Sequence, residues 1–144
     1  MTRFAIIVAK YNDFVTDRLR DGALAAFAKA SVAADRLTIV EVPGAFELPF
    51  AARMAAETGT FAAIVCLGCL IRGATPHFEF IAAAVAHGLT TASADTAVPM
   101  TFGVLTTNSA EEALERAGEG PSNKGWEAAT AAIEMDELVA RFGE

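Results

Sequence analysis

The sequence predicts an α/β fold, a three-layer sandwich in which a parallel four-stranded sheet carries helices on both faces. Three observations carry this reading. Short apolar runs of strand type alternate with longer stretches whose apolar residues recur at helical spacing. The strand-like runs are apolar almost throughout, as strands covered on both faces must be. Capping and turn residues stand at the junctions between them.

Phe4 to Ala9, rich in Ile and Val, is the first strand. Asn12 or Asp13 caps a helix whose inward positions are Val15, Leu19, Ala23, Ala26 and Phe27. Leu37 to Val42 is the second strand, stopped by Pro43-Gly44. A helix starts near Glu47, tolerates Pro49 in its first turn and ends at Gly59. Ala62 to Leu70 is the third strand. The third helix runs from Pro76 to about Gly88, with Phe78, Ile81, Val85 and Leu89 inward. Val98 to Leu105 is the fourth strand, and Ser109 caps a short helix over Glu111 to Ala117. Ser122 or Asn123 opens the last helix, whose stripe is Ala128, Ala131, Ala132, Met135, Leu138, Val139 and Phe142. Right-handed crossovers through this βαβαβαβα order give the flavodoxin-like strand order 2-1-3-4.

Residues 1–144 read as one domain, large enough for a proper core. The longest apolar run is about 11 residues, too short to cross a bilayer. Met1-Thr2-Arg3 leads straight into a strand pattern and does not resemble a signal peptide. A hydrophobic content of 53% points to subunit interfaces or to an alanine-rich core. The net charge of −7 argues against nucleic acid or an anionic membrane as partner. It leaves room for an anionic substrate, because a local cluster outweighs a screened global charge. Cys66 and Cys69 lie inside a strand pattern, where residues three apart face opposite ways. They read as packed, reduced thiols, which fits the cytoplasm.

Ligands of such sheets bind beyond the carboxyl ends of the strands. That selects three loops: Lys10 to Asp13, Pro43 to Glu47, and Ile71 to Phe78. In the last, Thr75 is a candidate N-cap, Pro76 suits the first helical position, and Gly73 allows a sharp turn. Such a loop aims unpaired backbone N–H groups at one spot and makes an anion site, with Arg72 adding charge nearby. His77 sits in the first turn beside it, where the positive end of the helix favours a neutral imidazole able to act as general base. A phosphorylated small molecule is the expected substrate class. Tyr11 is either a surface aromatic or a platform for a flat ligand, a stack worth roughly 0.5–1.5 kcal/mol beyond area burial. Glu47 is either a capping carboxylate or a partner for ligand hydroxyls. Arg116 reads alone as a dipole partner of its own helix. Phe102 lies early in the fourth strand, too far from the three loops to join a site made by its own chain.

Together these residues resemble the 6,7-dimethyl-8-ribityllumazine synthase family of riboflavin biosynthesis. The landmarks are Tyr11-Asn12, Val42 to Pro49, Leu67-Gly68-Cys69, Ile71 to Phe78, Phe102 to Thr107, Glu115 to Gly118, Asn123-Lys124-Gly125 and Glu134-Met135. Tyr11 stands where Phe or Trp is usual, and Lys10 replaces a common Arg. The resemblance implies condensation of 5-amino-6-(D-ribitylamino)uracil with 3,4-dihydroxy-2-butanone 4-phosphate, through imine formation, phosphate elimination and ring closure, with no cofactor and no metal.

Carried onto this sequence, the resemblance has Tyr11 stack on the pyrimidine. Asn12, Ala45, Phe46 and Glu47 hold the ring and ribityl chain, and Leu70 and Ile71 offer backbone contacts. Gly73, Ala74 and Thr75 cradle the phosphate, and His77 is the acid/base. Sites of the family lie between subunits, so Phe102, Lys124 and the phosphate-pairing Arg116 would come from a neighbouring copy. A homo-oligomer is therefore implied, a pentamer or a sixty-subunit shell, with riboflavin synthase a candidate partner. The chain starts almost directly at the first strand, which favours the pentamer. A signalling receiver shares the sheet order but needs an Asp ending the third strand, where this chain has Gly68-Cys69-Leu70.

Overall fold

The computed structural model describes residues 2–144. Its elements are β1 (Phe4–Ala9), α1 (Asp13–Lys29), β2 (Leu37–Val42), α2 (Leu48–Glu57), β3 (Ala63–Ile71), α3 (His77–Thr96), β4 (Met100–Thr107), α4 (Ala110–Glu115) and α5 (Lys124–Phe142). One-turn 3-10 segments at Ala34–Arg36 and Ala45–Glu47 precede β2 and α2. The sheet is entirely parallel in the order β2-β1-β3-β4. This is the flavodoxin-like arrangement expected from the alternation of elements.

Each inner strand divides its side chains between two cores. Phe4, Ile6, Val8, Val65, Leu67 and Cys69 pack against α1, α4 and α5. Ala5, Ile7, Ala9, Ile64 and Cys66 pack against α2 and α3. The two cysteines therefore do face opposite ways, and both are buried free thiols. β2 is one of the two sheet edges, and its Ile39 and Val40 remain exposed. No helix of the described residues is long and apolar enough to cross a membrane.

Several details differ from the sequence reading. The third helix passes Gly88 and ends at Thr96, with Leu89 and Ala92 buried on the way. Gly88 is a crossing point and not a stop: a Cβ there would lie 2.9 Å from the ring of Pro49 in α2. The fourth strand starts at Met100, two residues late, because the end of α3 claims Val98. Ser93 Oγ donates to the Val98 carbonyl at 2.8 Å, and the Val98 N–H donates to Thr96 Oγ1 at 3.3 Å. The stripe of α5 holds at Ala128 and Ala132 but fails towards its end, where Met135, Val139 and Phe142 are exposed.

α1 and α5 touch through glycine. A Cβ on Gly125 would lie 1.9 Å from the Leu19 carbonyl oxygen, and one on Gly22 would lie 2.2 Å from Asn123 Oδ1. Asn123 is 2% exposed, and its side chain makes four hydrogen bonds. Its Nδ2 donates to the carbonyls of Arg18 (3.2 Å) and Gly118 (2.8 Å). Its Oδ1 caps α5 by accepting from the N–H groups of Gly125 (2.7 Å) and Trp126 (3.2 Å). Gly125→Ala is expected to cost about 3 kcal/mol or more, since backbone cannot yield as a side chain does. The midpoint of urea unfolding measures it, and an unchanged midpoint would mean that the helices do not cross this closely.

Burial pushes the Cys66 thiol up to about 12 and the Cys69 thiol up to about 11, from an ordinary 9.0. The folded state thus holds these protons more tightly than the unfolded chain. Their contribution to stability is complete below pH 9 and is lost as pH rises from 9 through 11 and 12. Folded protein at pH 8 should resist a thiol reagent, and unfolding midpoints should fall above pH 9. Rapid labelling of the folded protein at pH 8 would contradict this.

Candidate active site

The carboxyl ends of β1, β2 and β3 open into a cavity of about 560 Å³. Its wall includes Tyr11 and Asn12 after β1, Gly44, Ala45, Phe46 and Glu47 after β2, Leu70 and Ile71 at the end of β3, and Gly73, Thr75 and His77 beyond it. The loops are tied together at their roots. The Lys10 N–H donates to the Val42 carbonyl (2.8 Å) and that of Tyr11 to the Pro43 carbonyl (3.1 Å), so the β1–β2 ladder continues past the strands. Asn12 takes a left-handed conformation (φ 65), which Asn tolerates better than most residues. Its side chain does not cap α1. Instead Nδ2 donates to the Cys69 carbonyl at 2.9 Å, joining the first loop to β3.

The Ala45–Glu47 turn sits close on the sheet because Gly68 offers no side chain. A Cβ on Gly68 would lie 3.3 Å from Leu48 Cδ1 and 3.4 Å from Ala45 Cβ. Glu47 precedes α2 but makes no capping bond with its side chain, which leaves its carboxylate free for a ligand. Tyr11 and Phe46 are exposed at 72% and 59%, and both line the cavity. Two exposed aromatic side chains on one wall suit a flat ring.

The third loop departs from expectation in detail. Thr75 does not cap α3; the helix begins at His77 after Pro76, with no side-chain cap. Gly73 has no left-handed φ, and a Cβ there would meet nothing within 4 Å. Its value is the space it leaves beside the chain. The N–H groups of Gly73, Ala74, Thr75, His77 and Phe78 have no backbone acceptor among the described residues, as an anion cradle requires. Ala74 lies between two wall residues without lining the cavity itself. Ile81 and Cys69, which the sequence marks only as packing residues, also line the cavity, as does Phe78 at the end of the third loop. Their apolar type and spacing gave no signal for the second role.

Phe102, Arg116 and Lys124 are not in this cavity. They line a second depression, of about 350 Å³, between β4, α4 and the start of α5. The Lys124 N–H donates to the Arg116 carbonyl at 2.9 Å, which ties the backbones of the two residues together. Arg116 Nη1 donates to the Glu112 carbonyl at 3.2 Å, so the helix-end role read from the sequence is real. It does not exclude a second role, because the side chain is exposed.

A doubly wound parallel sheet with an aromatic platform, an open row of backbone donors and an imidazole beyond its carboxyl edge defines an enzyme for a flat ligand and an anion. Residues 1–140 match the model of the 6,7-dimethyl-8-ribityllumazine synthase family. The chain is 50% identical over 140 residues to the 6,7-dimethyl-8-ribityllumazine synthase of Syntrophus aciditrophicus (strain SB), covering 97% of this chain and 91% of the relative. It is 46% identical to that of Desulfatibacillum aliphaticivorans (97% and 90%) and 45% identical to that of Chlorobaculum parvum (98% and 90%). The chain belongs to the 6,7-dimethyl-8-ribityllumazine synthase family.

Gly68→Ala is expected to push the Ala45–Glu47 turn outward by a few tenths of an ångström. The cost should be about 1 kcal/mol of stability. Titration with 6,7-dimethyl-8-ribityllumazine should show severalfold weaker binding. Unaltered binding would mean that the turn does not set the cavity floor.

Proposed function

We propose that the loop cavity is one half of an active site and that a second copy of the chain completes it with its own Phe102, Arg116 and Lys124. The chain catalyses the reaction of its family, in which 5-amino-6-(D-ribitylamino)uracil and 3,4-dihydroxy-2-butanone 4-phosphate give 6,7-dimethyl-8-ribityllumazine, phosphate and water. The observation that carries the two-part site is the separation of the site residues into two surface depressions on one chain.

In this reading the pyrimidine lies on Tyr11, and Asn12, Ala45, Phe46, Leu70 and Ile71 hold its edge. Glu47 takes ribityl hydroxyls. The N–H groups of Gly73, Ala74 and Thr75 hold the phosphate, and Arg116 of the second copy offsets its charge. His77, next to that cradle, moves protons. Imine formation removes two protons from the amine as water leaves. Phosphate elimination takes a proton from carbon as the C–O bond breaks, and ring closure transfers another. One imidazole beside the cradle can accept and return these protons in turn, a role typically worth ~10²–10⁴-fold in rate.

The two depressions are different surfaces, so the contact between copies is heterologous and repeats until the ring closes. A pentamer is the proposed assembly, and riboflavin synthase is the proposed consumer of the product. Large exposed apolar residues, Phe50 at 73%, Phe80 at 72% and Phe142 at 82%, supply surface for contacts between copies. Buried reduced thiols fit a cytoplasmic setting.

Purified protein mixed with both substrates should form lumazine, followed by its fluorescence, well above the uncatalysed rate. His77→Ala should lose about 10²-fold or more in turnover and still bind product. Arg116→Ala should raise the KM of the phosphate substrate. Co-expression of the two variants should restore on the order of a quarter of wild-type activity, because random mixing leaves that share of sites with both halves intact. No recovery on mixing would place His77 and Arg116 in a site within one subunit.

A further inference from the structure

Arg72 stands at the foot of the phosphate loop and was expected to lend it charge. Its guanidinium is engaged elsewhere. Nη1 pairs with the carboxylate of Glu79 in the first turn of α3. Nε donates to Asn108 Oδ1 at 3.0 Å. The guanidinium carbon lies 4.6 Å from the centre of the Phe78 ring, a cation–π stack. The backbone is held as well, since the Arg72 N–H donates to the Thr107 carbonyl at 2.8 Å.

Between the paired residues lie Gly73, Ala74, Thr75 and His77, whose backbone N–H groups find no backbone acceptor. The loop thus lacks internal hydrogen bonds to fix its shape, and its two ends are clamped instead. The clamp has a firm base. The Asn108 N–H donates to Glu112 Oε2 at 3.0 Å, and Glu112 belongs to the turn that Ser109 caps (3.2 Å). Glu79 is held below the usual carboxylate range, first by the hydrogen bond at its own backbone and then by Arg72.

We propose that Arg72 is a positioning residue for the phosphate loop, acting through Glu79, Asn108 and Phe78, and that it is not itself a ligand of the phosphate. This rests on the reading of residues 73–77 as the phosphate site. Arginine suits the task because its flat fork serves a carboxylate, an amide and an aromatic face at once, which a lysine cannot do. The cation that meets the phosphate is then the one from the second copy.

The two roles give opposite signs in one variant. Glu79→Gln removes the clamp but frees the arginine. Both side chains are about half exposed (48% and 50%), so the substitution leaves the core untouched. The probe is inorganic phosphate, measured as a competitive inhibitor against 3,4-dihydroxy-2-butanone 4-phosphate in the assembled enzyme. A positioning role predicts phosphate inhibition weakened on the order of tenfold, with the KM of the phosphate substrate raised in parallel. The KM of the pyrimidine substrate should stay as in the wild type. Arg72→Lys should fail to rescue, and Arg72→Met combined with Glu79→Gln should be no worse than either alone. Tighter or unchanged phosphate inhibition in Glu79→Gln would overturn the proposal. Absence of phosphate inhibition in the wild type would overturn the phosphate loop itself, and the clamp with it.

Discussion

Every feature of the site depends on the register of β1 between β2 and β3. Ala9 lies opposite Val42, and Val8 lies opposite Leu67. This brings the ends of β1 and β2 to one level, with β3 running on past them to Ile71, and the loops beyond the three strands share one cavity. The register is fixed by burial, because Phe4, Ile6 and Val8 fill one core while Ala5, Ile7 and Ala9 fill the other. A slip of one residue would exchange the two sets and put phenylalanine where alanine fits. On the α2 side Gly68 also lets the chain lie close, since a Cβ there would be 3.3 Å from Leu48 Cδ1. That closeness places the Ala45–Glu47 turn on one side of the cavity, and the start of α3 lies on the other.

A second constraint is the crossing of α1 and α5. Gly22, Gly125 and the buried amide of Asn123 form a contact with no slack. Asn123 ends the turn after α4 and starts α5, so it sets where Lys124 and Arg116 stand relative to β4. The same side chain bonds the Arg18 carbonyl in α1, and α1 begins at the Tyr11-Asn12 loop. The geometry of the second depression is therefore referred, through α1, to the geometry of the first.

Much of this was legible in the sequence, because each strand and helix carries a period that only one arrangement satisfies. The four strands, the five helices and the sheet order follow from that alternation. Misreadings came where a residue type serves two ends. Gly88 looks like a helix stop, but glycine also serves where two helices touch. Thr75 before Pro76 looks like a cap, but the loop stays open and the helix starts two residues later. Val98 has the side chain of a strand and the hydrogen bonds of a helix end. Met135, Val139 and Phe142 keep helical spacing, and spacing alone cannot say whether the covering surface belongs to the same chain. The site loops were found by a positional rule and by chemistry. Ile81 and Cys69 have only a packing role in the sequence because apolar wall residues carry no chemical mark.

The proposed anion site lies in a chain of net charge −7, and the loop shows how the two are compatible. Screening confines each exposed charge to roughly 8–10 Å at ordinary ionic strength, so the global charge is felt weakly at the cradle. What matters lies within that radius. Glu79 is close by, and left alone it would repel a phosphate from the first turn of α3. Pairing with Arg72 cancels that repulsion and takes the arginine out of competition with it. The cradle is then locally neutral, and its attraction comes from peptide N–H dipoles at a helix start. Such an arrangement orients a phosphate without gripping it by charge, which suits a group that must be released within the reaction. A cation arriving with a second copy can then make the site strong only where the site is complete.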